Sequence, residues 1–163
     1  LQNGSLKIID PDMSTHFNDD MVVLEKWMPK KPLSVVYFDG KKQRFFIKRF
    51  FVENENKHER FITDHKDSFL ELISTDWKPV IEVVFNKIRN KTQKPNQIIE
   101  LEQFISIKGI KAIGNQLSSE KIKQINTLEA IKFEPPLEVP ADEIEVVDEK
   151  IVEDKDIGQT ALF

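Results

Sequence analysis

Basic side chains are the residues of this chain whose type and spacing best suit chemistry, and they form three groups. The groups are Lys41, Lys42, Arg44, Lys48 and Arg49; Lys87, Arg89, Lys91 and Lys94; and Lys108 and Lys111. Ammonium and guanidinium groups bind phosphate oxygens, and several acting together give an affinity that depends steeply on salt and hardly on base sequence. The pattern predicts a surface for double-stranded DNA, with simple solvation as the alternative for any single residue.

Charge is distributed unevenly along the chain, although its total of −4 is ordinary. Residues 1–25 carry 1 basic and 5 acidic side chains, residues 26–126 carry 20 and 12, and residues 127–163 carry 3 and 11. A basic body attracts polyanions, and an acidic end of the chain can compete for the same surface.

Covalent catalysis is not predicted for this segment, because no nucleophile–base pair, phosphate loop or acid–base dyad is present. His16, His58 and His65 lack metal-ligand spacing and are expected at the surface. Turn chemistry explains the aspartates at residues 10–12 and 19–20. We therefore expect no metal and no cofactor in this segment.

The chain contains no cysteine, which excludes disulfides and thiolate metal sites and predicts an intracellular location. Combined with the predicted DNA surface, this makes a cytoplasmic, nucleoid-associated location the expected one. No apolar run approaches the roughly 20 residues needed to cross a bilayer, so no membrane partner is expected. Residues 6–9 are predicted to form a strand close to the first residue. We therefore expect the chain to be the C-terminal piece of a longer polypeptide.

The elements that must position the basic groups are predicted to be β-strands, at residues 33–38, 44–52, 69–74, 80–85, 98–108 and 122–128. Asp39-Gly40 separates the first two runs, and Asp-Gly between apolar runs is a strong hairpin signal. Helical spacing is weak, with one short helical turn expected at residues 118–123. Strand alternation places Arg44 and Lys48 on one side of the second strand and Arg49 on the other.

An internal echo relates two parts of the chain. The pattern of Trp27, Lys31-Pro32 and residues 33–38 recurs about 47 residues later in Trp77, Lys78-Pro79 and residues 80–85. A period of about 40–50 residues with several short strands is typical of blades arranged around an axis, with chance similarity between β-rich segments as the alternative. We predict an all-β fold with a partial set of β-pinwheel or propeller-like blades over residues 1–133, the units lying near 27–75 and 77–128.

Four phenylalanines flank the basic residues of the second predicted strand. Alternation places Phe45 and Phe51 on one face and Phe46 and Phe50 on the other. Stacking on nucleic-acid bases is one interpretation, and packing between blades is the preferred one.

The stretch KGIKAIGNQL, residues 108–117, is the least generic part of the sequence. Gly109 and Gly114 flank Lys111, which predicts a turn-rich loop that brings Lys108 and Lys111 to a shared outer surface. Together with the hairpin FDGKKQRFFIKRF, residues 38–50, this stretch resembles the C-terminal domain of the A subunit of bacterial type IIA topoisomerases. Over about residues 20–130 the chain looks more like topoisomerase IV of the Bacteroides and Flavobacterium type than like gyrase.

The resemblance implies a β-pinwheel that binds and bends DNA on a basic rim. The parent enzyme would use ATP, Mg²⁺, a catalytic Tyr, a B subunit and an A-subunit dimer contact, all through other domains. The Gln-Arg-Gly-Gly-Lys-Gly box of gyrase-type domains is absent from this sequence, so rim binding that steers a duplex is expected rather than full wrapping. Tyr37 lies mid-strand without a neighbouring Arg and is expected to pack, which leaves this segment non-catalytic.

Residues 134–163 are predicted to be a flexible acidic tail, because three prolines interrupt regular structure and acidic side chains dominate. Such a tail can act as a DNA mimic that folds back on the basic surface. Its end carries Gln159, Leu162 and Phe163 and resembles the Gln-x-x-Leu-Phe peptides that dock on the bacterial sliding clamp. The competing function is therefore a β-scaffold interaction module that binds the clamp through residues 159–163.

Overall fold

The computed structural model describes residues 1–10, 15–17, 19–53, 58–87, 89 and 92–133. Within them the chain forms nine strands and one helical turn: β1 (Ser5–Leu6), β2 (Leu33–Asp39), β3 (Arg44–Phe50), β4 (Glu59–Arg60), β5 (Phe69–Ser74), β6 (Val80–Phe85), β7 (Gln97–Glu100), α1 (Leu101–Phe104), β8 (Asn115–Gln116) and β9 (Ile122–Leu128). The predicted all-β fold is confirmed. The predicted tail at residues 134–163 lies outside the described residues.

Antiparallel pairing arranges the strands in three sheets. One has four strands in the order β5-β2-β3-β8, one has three in the order β7-β6-β9, and β1 pairs with β4. No helix in the described ranges is long and apolar enough to span a membrane.

The β2–β3 hairpin is the longest uninterrupted ladder, running from Leu33 opposite Phe50 to Asp39 opposite Arg44. The hairpin was predicted from Asp39-Gly40, but its tip is a longer turn in which Gln43, not Gly40, has positive φ (54°). Gly40 is needed for close approach instead, since a Cβ there would lie 2.4 Å from His65 Nδ1. Gly40 is therefore required for close contact with the loop that carries His65, and not for a positive φ angle.

The two segments that echo each other occupy equivalent positions in their sheets. β2 is hydrogen-bonded to β3 and β5, and β6 to β7 and β9. Both are interior strands, which explains their near-continuous apolar sequences. The echo therefore marks the interior strand of each of two antiparallel sheets, an arrangement consistent with blade-like units.

Two apolar clusters cover opposite faces of the hairpin. The first contains Val36, Ile47, Ile81, Val83, Phe85, Ile99, Leu101, Ile105, Leu117 and Ile125. The second contains Val35, Tyr37, Phe46, Phe50, Phe61 and Ile62. The first cluster joins the four-stranded sheet to the three-stranded sheet, and each fully buried aliphatic side chain in it contributes about 1.5–3 kcal/mol.

Some predicted boundaries are wrong. The strand expected at residues 98–108 ends at Glu100, and α1 follows because Leu101 and Ile105, four residues apart, both enter the first cluster. The helical turn expected at 118–123 is not formed, since β9 already begins at Ile122. The second predicted strand stops at Phe50, and only Ser5–Leu6 of the first segment is paired.

Candidate nucleic-acid interface

The tip of the β2–β3 hairpin is organised by a buried carboxylate. Asp39 Oδ1 accepts hydrogen bonds from the backbone N–H groups of Lys41 (2.9 Å) and Lys42 (3.0 Å), and its Oδ2 accepts one from Thr63 Oγ1 (2.9 Å). Burial alone would raise the pKa of Asp39, but the hydrogen bonds from Lys42, Thr63 and Lys41 hold it below its usual value. This carboxylate is engaged with the turn itself, while Lys41, Lys42 and Arg44 are exposed as predicted.

The turn at residues 108–114 lies against β3. Lys108 N–H donates to Arg49 O (2.8 Å), and β8 then pairs with β3. Gly114 has φ of 89°, and a Cβ there would lie 2.1 Å from Ile47 O, so no other residue fits this approach. The exposed Lys108 side chain donates to Asn115 Oδ1 (2.9 Å), a neutral acceptor that leaves its positive charge uncompensated.

A cleft of about 420 Å³ forms where the hairpin tip meets this turn. Among the described residues, its lining includes five cationic side chains: Lys41, Lys42, Lys48, Arg60 and Lys111. Asp39 is the carboxylate in the same lining. The structure therefore brings together Lys41, Lys42 and Lys48 of the first predicted group and Lys111 of the third.

Arg60 is a member of this cleft that the sequence did not single out. It lies in β4, whose position depends on pairing with β1 near the start of the chain. Its guanidinium forms an ion pair with Asp64, whose side chain is 87% exposed. The sequence around Glu59-Arg60 does not predict that Arg60 lines the cleft, because its position depends on the pairing of β4 with β1.

Lys48, one of the predicted DNA-contacting residues, is buried, with 2% of its surface exposed. Its Nζ donates to Ile110 O (2.6 Å) and Ala112 O (3.1 Å). Burial lowers the pKa of Lys48 to about 8. The residue fastens the 108–114 turn to β3 and lines the inner part of the cleft; it does not belong to an exposed rim.

Arg49, also predicted to contact DNA, is buried as well, with 3% of its surface exposed. Its Nε donates to Ser34 Oγ (3.1 Å) and its Nη2 donates to Trp77 O (2.8 Å). Burial lowers the pKa of Arg49, and the charge of Glu102 acts in the opposite direction. Through these hydrogen bonds Arg49 links the hairpin to the segment that begins the second echo. Strand alternation separated Lys48 from Arg49 correctly but gave no information on which faces other elements cover.

The second basic group lies on the loop that follows β6. Lys87 and Arg89 are exposed, and Lys91 lies outside the described residues. Lys94 is half-buried, with its Nζ 3.7 Å from Glu120 Oε1 and 4.3 Å from the centre of the Phe85 ring. This group belongs to the three-stranded sheet, apart in sequence and sheet from the hairpin.

Phenylalanine packing follows the expected alternation. Phe46 and Phe50 lie in the second cluster, and Phe45 packs against the first and contacts the rings of Phe38 and Phe69. Phe51 remains 41% exposed. Packing rather than base stacking accounts for three of the four rings.

Comparison with known families decides the identity of the chain. The family model for the topoisomerase C-terminal domain of Bacteroidota matches residues 1–129. The chain belongs to this family. No curated protein and no solved structure matches it. The resemblance drawn from the hairpin and from the 108–117 stretch is confirmed.

Membership of this family is consistent with the prediction that this chain is a non-catalytic segment of a topoisomerase. The predicted packing role of Tyr37 is confirmed, because the ring is 1% exposed and its hydroxyl donates to Ile113 O (2.8 Å). Within the described ranges no three His, Asp or Glu side chains are grouped so as to hold a metal ion. The described residues do place several cationic side chains in one cleft.

Proposed function

We propose that this topoisomerase C-terminal domain binds double-stranded DNA through phosphate contacts and bends it for the catalytic parts of the enzyme. The contacts come from the exposed or half-exposed cations Lys41, Lys42, Arg44, Lys87, Arg89, Lys94, Lys108 and Lys111, with Arg60 added. Arg49 is left out because it is buried, and Lys48 lies outside this exposed set but lines the inner part of the cleft. Lys91 lies outside the described residues. The parent enzyme is a type IIA topoisomerase, and this chain is part of its A subunit, of the topoisomerase IV type. Its catalytic Tyr, Mg²⁺, ATP, B subunit and dimer contacts belong to other domains.

The observation that carries this proposal is the meeting of the hairpin tip and the 108–114 turn. Lys41, Lys42 and Lys111 come from sequence positions about 70 residues apart, yet they line one cleft. Asp39 is bound by the backbone N–H groups of the hairpin tip, so it neutralises the lysine ammonium groups less effectively than an ion pair would. Several cations concentrated in this way favour phosphate groups.

The presence of cations on two sheets supports the bending part of the proposal. The hairpin belongs to the four-stranded sheet, and the loop with Lys87 and Arg89 follows β6 of the three-stranded sheet. Bending 20–30 base pairs smoothly costs on the order of 1–6 kcal/mol, which several phosphate contacts offset. Because these contacts go to phosphates, affinity is expected to be the same for unrelated sequences.

The test is fluorescence anisotropy of the full chain with two unrelated duplexes of about 30 base pairs. The double variant Lys41→Glu and Lys42→Glu should weaken binding to both duplexes by the same factor, about tenfold or more. The matched control is Lys7→Glu with Lys26→Glu, two exposed lysines outside the cleft. Equal losses in both double variants would contradict a localised interface, and a loss confined to one duplex would contradict phosphate recognition.

The competing proposal, sliding-clamp docking through Gln159, Leu162 and Phe163, is supported by the sequence alone, since these residues lie outside the described part of the chain. Deleting residues 159–163 separates the two functions. DNA affinity is expected to survive this deletion if the domain acts through its basic surface. Loss of clamp capture with retained DNA binding would add the second function to the first.

A further inference from the structure

The cleft between the hairpin and the 108–114 turn has an excess of hydrogen-bond donors. Lys41 and Lys111 form no ion pair with a described residue, and Lys42 lies 4.9 Å from the centre of the Phe46 ring. The ion pair of Arg60 with Asp64 is exposed, and such pairs exchange readily with other partners. A cleft with five cations and one internally engaged carboxylate favours an anion over a neutral ligand.

Lys48 adds a donor at the buried side of this cleft. An ammonium group has three N–H donors, and the carbonyls of Ile110 and Ala112 accept two. The Tyr37 and Phe50 rings lie 5.9 Å and 5.3 Å away, and no described carboxylate forms an ion pair with it. Such a buried charge is normally compensated by a counter-ion.

We propose that this cleft is a pocket for a single phosphate group, bound by Lys48 on its buried side and by Lys41, Lys42, Arg60 and Lys111 around it. A volume of about 420 Å³ lies within the range of small-molecule sites and admits a phosphate with part of what it is attached to. The group comes either from a DNA backbone or from a free phosphate compound. The first source rests on the proposed function, and the second is independent of it.

The pocket makes phosphate binding depend on pH. In the free protein the pKa of Lys48 is about 8 because of burial, and a bound anion would raise it by favouring the charged form. Binding therefore takes up a proton above pH 8, and affinity falls as pH rises beyond that value. The other charged or titratable groups facing the cleft are Asp39, Tyr37, Lys41, Lys42, Arg60 and Lys111.

The direct test is an NMR titration of the full chain with inorganic phosphate, against sodium chloride at equal ionic strength. Saturable shifts are expected for the backbone amides of residues 39–42 and 110–112. The double variant Arg60→Gln and Lys111→Gln should weaken binding about tenfold or more. Lys7→Gln with Lys26→Gln, which removes the same charge elsewhere, should not change it. Lys48→Met should remove the decline in affinity above pH 8.

Three results would overturn the pocket: no saturable phosphate-specific shift, unchanged affinity in the Arg60 and Lys111 variant, or an equal loss in the control. Duplex DNA added to the phosphate-saturated protein distinguishes the two sources. Displacement of phosphate identifies the DNA backbone as the occupant, and simultaneous binding identifies a free phosphate compound. DNA binding without phosphate binding would contradict the pocket and leave the proposed function standing. Phosphate binding without DNA binding would contradict the proposed function and leave the pocket standing.

Discussion

Lys48 Nζ donates a hydrogen bond of 2.6 Å to the backbone carbonyl of Ile110, which lies 62 residues further along the chain. A second bond, to Ala112 O, makes this buried ammonium the fastening between β3 and the 108–114 turn. The exposed Lys111 sits between the two acceptors in sequence. The position of the Lys111 side chain, which we propose binds phosphate, therefore depends on a lysine that is itself almost fully buried.

Replacing Lys48 with Met is expected to destabilise the domain. The change keeps the length of the side chain but leaves the carbonyls of Ile110 and Ala112 without their donor, which costs about 1–3 kcal/mol. Urea denaturation at neutral pH measures the change in the free energy of unfolding. Unaltered stability would contradict the fastening role.

Stability should also change with pH in a way that Lys48→Met removes. The pKa of Lys48 is about 8 in the folded chain and near 10.4 when unfolded, so between these values the unfolded chain binds more protons. The free energy of unfolding of the native chain, relative to the variant, should rise from about pH 8 to about pH 10 by at most about 1.4 kcal/mol per pH unit. Burial raises the pKa of Tyr37, which acts in the opposite direction but in both proteins. Parallel stability curves would refute this linkage.

The two glycines of the 108–114 turn should respond differently to the same substitution. Gly114→Ala places a Cβ 2.1 Å from Ile47 O at a positive φ and is expected to cost about 2 kcal/mol or more. Gly109→Ala meets no atom within 4 Å and should change stability by less than about 1 kcal/mol. Thermal melts of both variants provide the comparison. Similar melting temperatures would mean that the turn does not approach β3 as described.

Substitutions of the two arginines of β3 should have different effects, one on DNA affinity and the other on stability. Arg44→Gln removes an exposed charge and should lower DNA affinity with little effect on stability. Arg49→Gln removes the hydrogen bonds to Ser34 and Trp77 and should lower stability by about 1–3 kcal/mol, with DNA affinity retained while the domain is folded. Anisotropy and urea denaturation on both variants test this. Reversed effects would restore Arg49 to the interface.

The strands and most of the basic residues of the site could be predicted from local sequence, but which of these residues are buried and which lie together could not. Residues 69–74, 80–85 and 122–128 form strands that begin and end as predicted. Burial of Lys48 and Arg49 depends on residues about 30 to 60 positions away that cover β3 from both sides, and strand alternation carries no information about such cover. Arg60 enters the cleft through pairing between β1 and β4, for which neither short segment has a distinctive sequence.

Removal of residues 134–163 tests the acidic segment as a competitor for the basic surface. With its net negative charge gone, DNA binding should tighten at low salt and change little at high salt, where screening already weakens the competition. The measurement is duplex affinity of the full chain and of the shortened chain across a salt series. Identical affinities at low salt would eliminate the DNA-mimic role.

The salt dependence of duplex binding tests the central claim most directly. We predict that the logarithm of the association constant falls linearly with the logarithm of salt concentration, with a slope of about −0.9 for each phosphate contact. Lys42→Gln and Lys111→Gln should each reduce the magnitude of that slope by about 1. An affinity that stays constant as salt rises from about 50 to 200 mM would contradict binding through a cationic surface.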